Sequence, residues 1–209
     1  TENLQERSGQ QEMLRKLEID LASLRVCKQV AHDLGLQFLC TPFDLDSLDA
    51  LVELGVDAIK ISSGDANHIL LLEKAALAPC PVVVSTGMCN WDDVHRIQQI
   101  FKMEPQKLAL LHCVSAYPAP LEQSNLRVLD LLKSRGVHYG FSDHTLGADA
   151  ALAAVALGAR ILEKHITLDT SARGPDHAAS MNEHAFRDYI RSVQGLATAM
   201  GDAQKRCML

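Results

Sequence analysis

Six short apolar runs punctuate the chain: QFLCTPF, AIKISSG, VVVSTG, LALLHC, HYGFSD and ILEKHITL. They begin near residues 37, 58, 82, 108, 138 and 161, so their starts are 20 to 30 residues apart. Between them, apolar residues recur three and four apart in DSLDALVELG, HILLLEKAAL, WDDVHRIQQIFK, NLRVLDLLKSRG and GADAALAAVALG. A last such segment, NEHAFRDYIRSVQGLATAMG, follows the sixth run. Runs of the first kind predict strands and those of the second kind predict helices. Ahead of the first strand, MLRKLEIDLASLRVCKQVAHDLG sets Leu14, Leu17, Leu21, Leu24, Val30 and Leu34 three, four and six apart. That spacing predicts one amphipathic helix, or two short ones, stopped at Gly35. Asp46, Asn67, Asn90 and Asn125 stand where helix N-caps belong, and Gly55, Gly136 and Gly158 stand where helices end. Residues 1–12, TENLQERSGQQE, are polar and read as a tail or loop, which leaves 13–209 for the folded domain.

Strand–helix units in succession mean a parallel sheet, and strands apolar on both faces suit a sheet covered by helices. Two architectures compete on pattern alone. One is a doubly wound open sheet; the other is an eight-unit barrel, which takes about 250 residues. For a barrel, two strands are missing at the front. No glycine-rich fingerprint of the GxGxxG kind follows the first strand, which counts against a dinucleotide fold.

Composition narrows the function classes. Of 209 residues, 47% are apolar but only 4% aromatic, so Leu, Ala, Val and Ile must build the core. The net charge is −6, and no Lys/Arg run suggests a nucleic-acid surface. No apolar stretch approaches the roughly 18 residues of a membrane span, and no signal peptide is visible at the start. The cysteines are Cys27, Cys40, Cys80, Cys89, Cys113 and Cys207, none in a CxxC pair and mostly in or beside apolar strands. They read as reduced thiols of a cytoplasmic protein, with structural roles commoner than a catalytic one.

Polar residues gather at the C-terminal ends of the strands: Thr41, Lys60, Ser62, Ser63, Asp65, Ser85, Thr86, His112, Ser115, Tyr117, Ser142, Asp143, His144, Glu163, Lys164 and His165. In parallel α/β proteins that edge binds ligands. Period-two alternation puts Ser142 and His144 on one face of their strand and Glu163 and His165 on one face of the next, with Lys164 opposite. Both histidines can then point inward, where imidazoles beside carboxylates suit a divalent metal. Asp143, Glu163 or Asp176 are candidate partners for the imidazole N–H groups. Hydrogen-bonded core histidines would explain the same residues, and the residue types leave both readings open. Two protein ligands alone make an open site, as metal catalysis requires.

TSARGPDHAASMNE, after the last strand, is too polar for core and reads as a loop over the mouth. SAYPAPLEQSN is a second long loop, whose Tyr117 either stacks on a sugar ring or packs. Lys60 shares a face with Ser62. It is a candidate Schiff-base lysine, or a fixed cation for phosphate or carboxylate, and the hydroxyls around it favour the anion. Lys164 is the poorer nucleophile candidate, since it faces away.

The segments TPFD, KISSGD, STGM, HCVSAYP, GFSDHT, EKHITLD and GPDHAAS occur in the order and approximate spacing of the N-acetylneuraminate (sialic acid) synthase family, which includes the legionaminate and pseudaminate synthases. The chain resembles that family from about residue 11 to about residue 200. The resemblance implies a fold class: α/β, (β/α)8 TIM-barrel type, incomplete, with about six strand–helix units. It also implies condensation of phosphoenolpyruvate with an N-acetylated amino sugar (N-acetylmannosamine in the sialic acid branch) with release of phosphate. A divalent metal would be held by His144 and His165, Mn2+ first, with Mg2+ or Co2+ as alternatives. It would polarise the sugar's aldehyde oxygen while C3 of phosphoenolpyruvate attacks. Thr41, Lys60, Ser63, Ser85, Ser115 and Ser142 match positions that hold phosphoenolpyruvate, although Ser115 stands where many members carry Asn. Tyr117, Glu163 and Asp176 match sugar-facing positions, and Asp65 stands where the family has Glu or Asp. Glu163 and Lys60 are the expected catalytic residues.

The family's first strand carries a glutamate, its second a lysine and a glutamine, and its C-terminal antifreeze-like domain lends an arginine to the partner subunit of a homodimer. None of these is expected in this chain, which resembles the middle of a synthase. Open sheet edges invite pairing, so the chain alone is expected to be inactive or nearly so. A Schiff-base aldolase using Lys60 and a non-catalytic binding fragment are the alternatives.

Overall fold

The computed structural model describes residues 15, 17–174 and 176–204. The polar tail or loop expected over 1–12, and Cys207, lie outside them. Helix α1 (Leu21–Asp33) is capped by Asp20, whose carboxylate accepts the Ser23 N–H at 2.7 Å. Arg15 and Leu17 are helical as well, while residues 18–20 are not, so the stretch holds two helical pieces rather than one.

The rest alternates: β1 (Leu39–Cys40), α2 (Leu45–Leu54), β2 (Ala58–Ile61), α3 (Ile69–Ala76), β3 (Val82–Ser85), α4 (Trp91–Ile100), β4 (Leu108–Cys113), α5 (Val128–Lys133), β5 (His138–Asp143), α6 (Asp149–Ala156), β6 (Ile161–Lys164) and α7 (Glu183–Met200). The strands form one parallel sheet in the order β1-β2-β3-β4-β5-β6. A doubly wound sheet reverses its order part-way; one that follows chain order throughout is the winding of a TIM barrel. The fold is therefore α/β of the barrel type, a six-stranded arc among the described residues.

The helix starts differ in detail from the sequence expectation. Asp44, not Asp46, caps α2: its carboxylate accepts the Ser47 N–H and hydroxyl, both at 2.7 Å, and Asp46 sits inside the first turn. At α3 the cap position is His68 rather than Asn67, and at α5 it is Arg127 rather than Asn125. Asn90 caps α4 as expected, accepting from the Asp92 and Asp93 N–H groups, while Asp93 reaches back to the Asn90 N–H.

Alternation sorts the strand side chains between two cores. Ile59, Ile61, Val82, Val84, Leu108, Leu110 and Phe141 pack outward against Leu48, Leu71, Leu72, Ile97, Leu129 and Leu132 of the helices. Val83, Ala109 and Leu111, with Ile161, form a small apolar floor on the concave face. How tightly the arc curls is shown by one ion pair: Lys60 Nζ of β2 lies 3.5 Å from Glu163 Oε2 of β6. Four strand spacings of about 4.8 Å would hold these residues about 19 Å apart in a flat sheet. The contact is a chord across the concavity. Among the described residues, no helix is long and apolar enough to cross a membrane.

Candidate active site

His144 directly follows β5, and His165 directly follows β6. The His144 ring is buried, and its Nδ1 is 2.7 Å from the Val114 carbonyl. A carbonyl only accepts, so Nδ1 carries a proton, and in the neutral ring Nε2 presents its lone pair. The His165 ring centre is 5.5 Å from that of His144, with the planes at 85°. The half-exposed Tyr117 ring lies over both, at 4.1 Å from His144 and 5.4 Å from His165. Asp176 comes to 3.9 Å from His165 Nδ1. It does so because the loop after β6 folds back on the strand end. Met181 N–H donates to the His165 carbonyl at 3.0 Å, Thr167 N–H donates to the Met181 carbonyl at 2.8 Å, and His177 Nδ1 lies 2.7 Å from Thr167 Oγ1.

One rung deeper, Ser142 Oγ donates to Glu163 Oε1 at 2.8 Å, and the other carboxylate oxygen faces Lys60. Lys60 is largely buried and also donates to the Ile61 carbonyl at 3.0 Å. Beside this group Ser63 Oγ accepts the Gly87 N–H at 3.0 Å and lies 3.4 Å from Cys113 Sγ. A Cβ on Gly87 would stand 2.6 Å from Ser115 Oγ and 2.7 Å from Cys113 Sγ, so any larger residue here would have to displace both side chains. Ser85 Oγ is buried without a hydrogen-bond partner. Such an orphan costs roughly 1–3 kcal/mol until something satisfies it.

The structure thus brings His144, His165, Tyr117, Glu163, Ser142, Lys60 and Asp176 together. Ser63 and Ser115 stand beside them around Cys113. Thr41, half-buried after β1, and Asp65, whose carboxylate accepts the Ser62 hydroxyl at 2.6 Å, make no hydrogen bond to this group. Asp143 is not a partner of either imidazole. It follows the outward-facing alternation of β5 and binds Lys164 and Thr145 on the helical side.

Comparison with known proteins decides the family, since the NeuB family model matches residues 1–205. The chain belongs to the NeuB family. It is 38% identical over 202 residues to the N,N'-diacetyllegionaminic acid synthase of Campylobacter jejuni, covering 95% of this chain and 60% of that protein. It is 36% identical over 196 residues to the N-acetylneuraminate-9-phosphate synthase of Homo sapiens, covering 93% of this chain and 55% of that protein. The chain therefore spans a little over half the length of these relatives. The crystal structure of the N-acetylneuraminic acid synthetase of Leptospira borgpetersenii superposes with a TM-score of 0.89 at 31% identity, over 94% of this chain and 70% of that one.

Within this NeuB-family site, electrostatics separates the titratable groups. For Cys113, burial pushes the thiol up, but hydrogen bonds from His144 and Ser63, the charge of His144 and the Ser115 hydroxyl together outweigh it and hold it below the usual range. For His144, burial pushes the other way from its partners: it disfavours the cation, yet Cys113 and the Val114 carbonyl leave the imidazole above its ordinary value. Burial raises the Tyr117 phenol, helped by Cys113, Asp176 and Glu163. No cluster of three or more His, Cys, Asp or Glu side chains able to hold a metal gathers among the described residues. The donor set present, two neighbouring imidazoles with that of His144 anchored through Nδ1 to the Val114 carbonyl, fits, when the rings are neutral, a cation that takes its remaining ligands from substrate and water.

Sequence reading did not single out Cys113, Gly87 or the Val114 carbonyl. Alternation along LALLHC, applied to β4, puts Ala109, Leu111 and Cys113 on the concave face and would have found the thiol. A backbone carbonyl leaves no trace in a side-chain pattern.

Proposed function

We propose that the concave site condenses phosphoenolpyruvate with an N-acetylated amino sugar, N-acetylmannosamine or a relative, to give a nonulosonic acid and phosphate. The observation that carries this reading is the inward group at the C-terminal edge of the sheet: two imidazoles, Glu163 with Ser142, and Lys60 held across the arc. Kinship with synthases of legionaminic acid and N-acetylneuraminate-9-phosphate supports the substrate class.

Lys60 supplies a fixed cation to the carboxylate and phosphate of phosphoenolpyruvate, and the free O–H of Ser85 supplies a donor that nothing in the protein uses. Ser63, Ser115, Ser142 and Thr41 add hydroxyls around the same anion. Tyr117 covers the sugar ring, while Glu163 and Asp176 accept from its hydroxyls, with Asp65 at the rim. C3 of phosphoenolpyruvate then attacks the aldehyde carbon, water adds at C2, and phosphate leaves. His144 and His165 would hold the divalent cation, Mn2+ first with Mg2+ or Co2+ as alternatives, and that cation would supply polarisation of the aldehyde oxygen.

The Schiff-base alternative is disfavoured by geometry: Lys60 Nζ is engaged by the Glu163 carboxylate at 3.5 Å and by the Ile61 carbonyl at 3.0 Å, contacts that a lysine attacking a ketoacid would have to give up. Turnover by the 209-residue chain alone is expected to be far below that of an ordinary enzyme, because among the described residues β1 and β6 each have a strand partner on one side only. The test is therefore binding and turnover measured together. Calorimetry with phosphoenolpyruvate and Mn2+ should show binding that Lys60→Met weakens, and any phosphate release should require the amino sugar and stop with EDTA. A borohydride-trapped ketoacid adduct on Lys60 would establish the aldolase instead. Binding with no release at all would mark a binding fragment.

A further inference from the structure

Directly behind the two histidines, on the helical side of the sheet, lies a buried charged group that the proposed chemistry leaves unused. Asp143 precedes His144 and Lys164 precedes His165, so alternation turns both away from the concave face. Lys164 Nζ lies 3.1 Å from Asp143 Oδ2, with the two side chains 3% and 0% exposed. The same ammonium donates to the Thr145 carbonyl. Lys164 therefore grips the residue before His144 and the residue after it, while His165 is its own neighbour in the chain. Asp143 Oδ1 closes the turn around His144 by accepting the Thr145 N–H at 2.9 Å and its hydroxyl at 2.7 Å. The buried Tyr189 of α7 donates to Asp143 Oδ2 at 3.4 Å, and its ring lies 5.7 Å from Nζ.

Stability alone does not account for this group, because well-packed apolar side chains commonly stabilise as much as a buried ion pair or more. An ion pair adds direction: its N–H···O vectors end on particular backbone and side-chain atoms of both strand ends. We propose that Asp143, Lys164 and Thr145 form a clamp that positions the two imidazoles, fixing the ends of β5 and β6 so that His144 and His165 converge on one cation. This rests on the cation-binding reading of the two histidines given above. The clamp residues touch no substrate; they are positioning residues.

The test is Mn2+ affinity, followed by electron paramagnetic resonance of the free ion, beside thermal unfolding of the same samples. The double variant Asp143→Leu/Lys164→Met removes both charges and leaves none orphaned. It is expected to fold but to melt below the wild type, because Thr145 and the Tyr189 hydroxyl lose their partners, and to bind Mn2+ about 10–100-fold more weakly. Thr145→Val, which keeps the ion pair and the carbonyl, should shift affinity the same way by less. Wild-type affinity in a folded double variant overturns the clamp while the cation reading stands. If the double variant does not fold, unchanged affinity in Thr145→Val overturns it equally. If the wild type binds Mn2+ no better than His144→Ala/His165→Ala, the cation reading itself fails and the clamp falls with it.

Discussion

His112 and His144 show how neighbours decide what burial does to one residue type. The His112 ring lies 5.9 Å from that of Phe141 on the outward face of β4, with Nε2 2.7 Å from the Ser124 carbonyl. Burial pushes its pKa down, and the single carbonyl does not make up the loss. His144 is buried too, but thiol and carbonyl partners carry it the other way. The lowered value at His112 makes a linkage prediction. Above about pH 6.5 both folded and unfolded forms are neutral at this ring. As pH falls through that value the unfolded chain takes up a proton that the folded one resists, so stability declines until the lowered folded pKa is reached. His112→Phe keeps the aromatic contact and removes the proton site. Urea unfolding from pH 8 to 5 should show the wild type losing stability relative to this variant on the acid side. A difference that stays flat with pH would refute the assignment.

Among the elements, β5 and β6 carry the most consequence, because each ends on a histidine. Their closeness is set at Gly140: a Cβ there would stand 2.1 Å from the Ile161 carbonyl oxygen, a backbone atom that cannot swing away. Gly140→Ala must push the strands apart, and overpacking of this kind costs about 1–3 kcal/mol. Equilibrium unfolding in urea should show that loss, and a change within a few tenths of a kcal/mol would mean that the strands do not approach so closely. The strands themselves were legible because parallel, helix-covered strands are apolar on both faces, so VVVS and LALLHC stand out against their polar flanks. Caps were less legible. Asp44 and Asp46 are the same residue type two apart, and only the backbone conformation says which one closes the turn. Alternation was enough to turn Glu163 and His165 inward together, but the chord between Lys60 and Glu163 depends on the curl of the whole arc, which no local period encodes. Asp143, one of three candidate imidazole partners beside Glu163 and Asp176, neighbours His144 in sequence but lies on the opposite face of β5, where it pairs with Lys164.

At the scale of the whole molecule, the apolar surface is unevenly covered. The helices α2 to α6 each bury side chains against the sheet, but α1 buries none fully. Val30, Leu34 and Leu36 are 51%, 70% and 61% exposed, and beyond them Leu39 of β1 and Phe43 are 42% and 68% exposed. These residues belong to α1 and to the segments just before, within and after β1, a strand that has a partner on one side only among the described residues. Exposed apolar residues beside an open strand edge are the combination that draws a second chain. The 209-residue chain in solution is therefore expected to self-associate in a concentration-dependent way through this flank. Replacing Leu36 and Phe43 with lysine adds charge just before and just after β1 without touching the floor of Val83, Ala109 and Leu111. Sedimentation velocity across a wide concentration range should show the association and its reduction in the double variant, with melting unchanged. A wild-type chain that sediments as a single monomeric species at every concentration would show that the flank is tolerated by water, and that β1 is an edge the sequence already protects by keeping it two residues long.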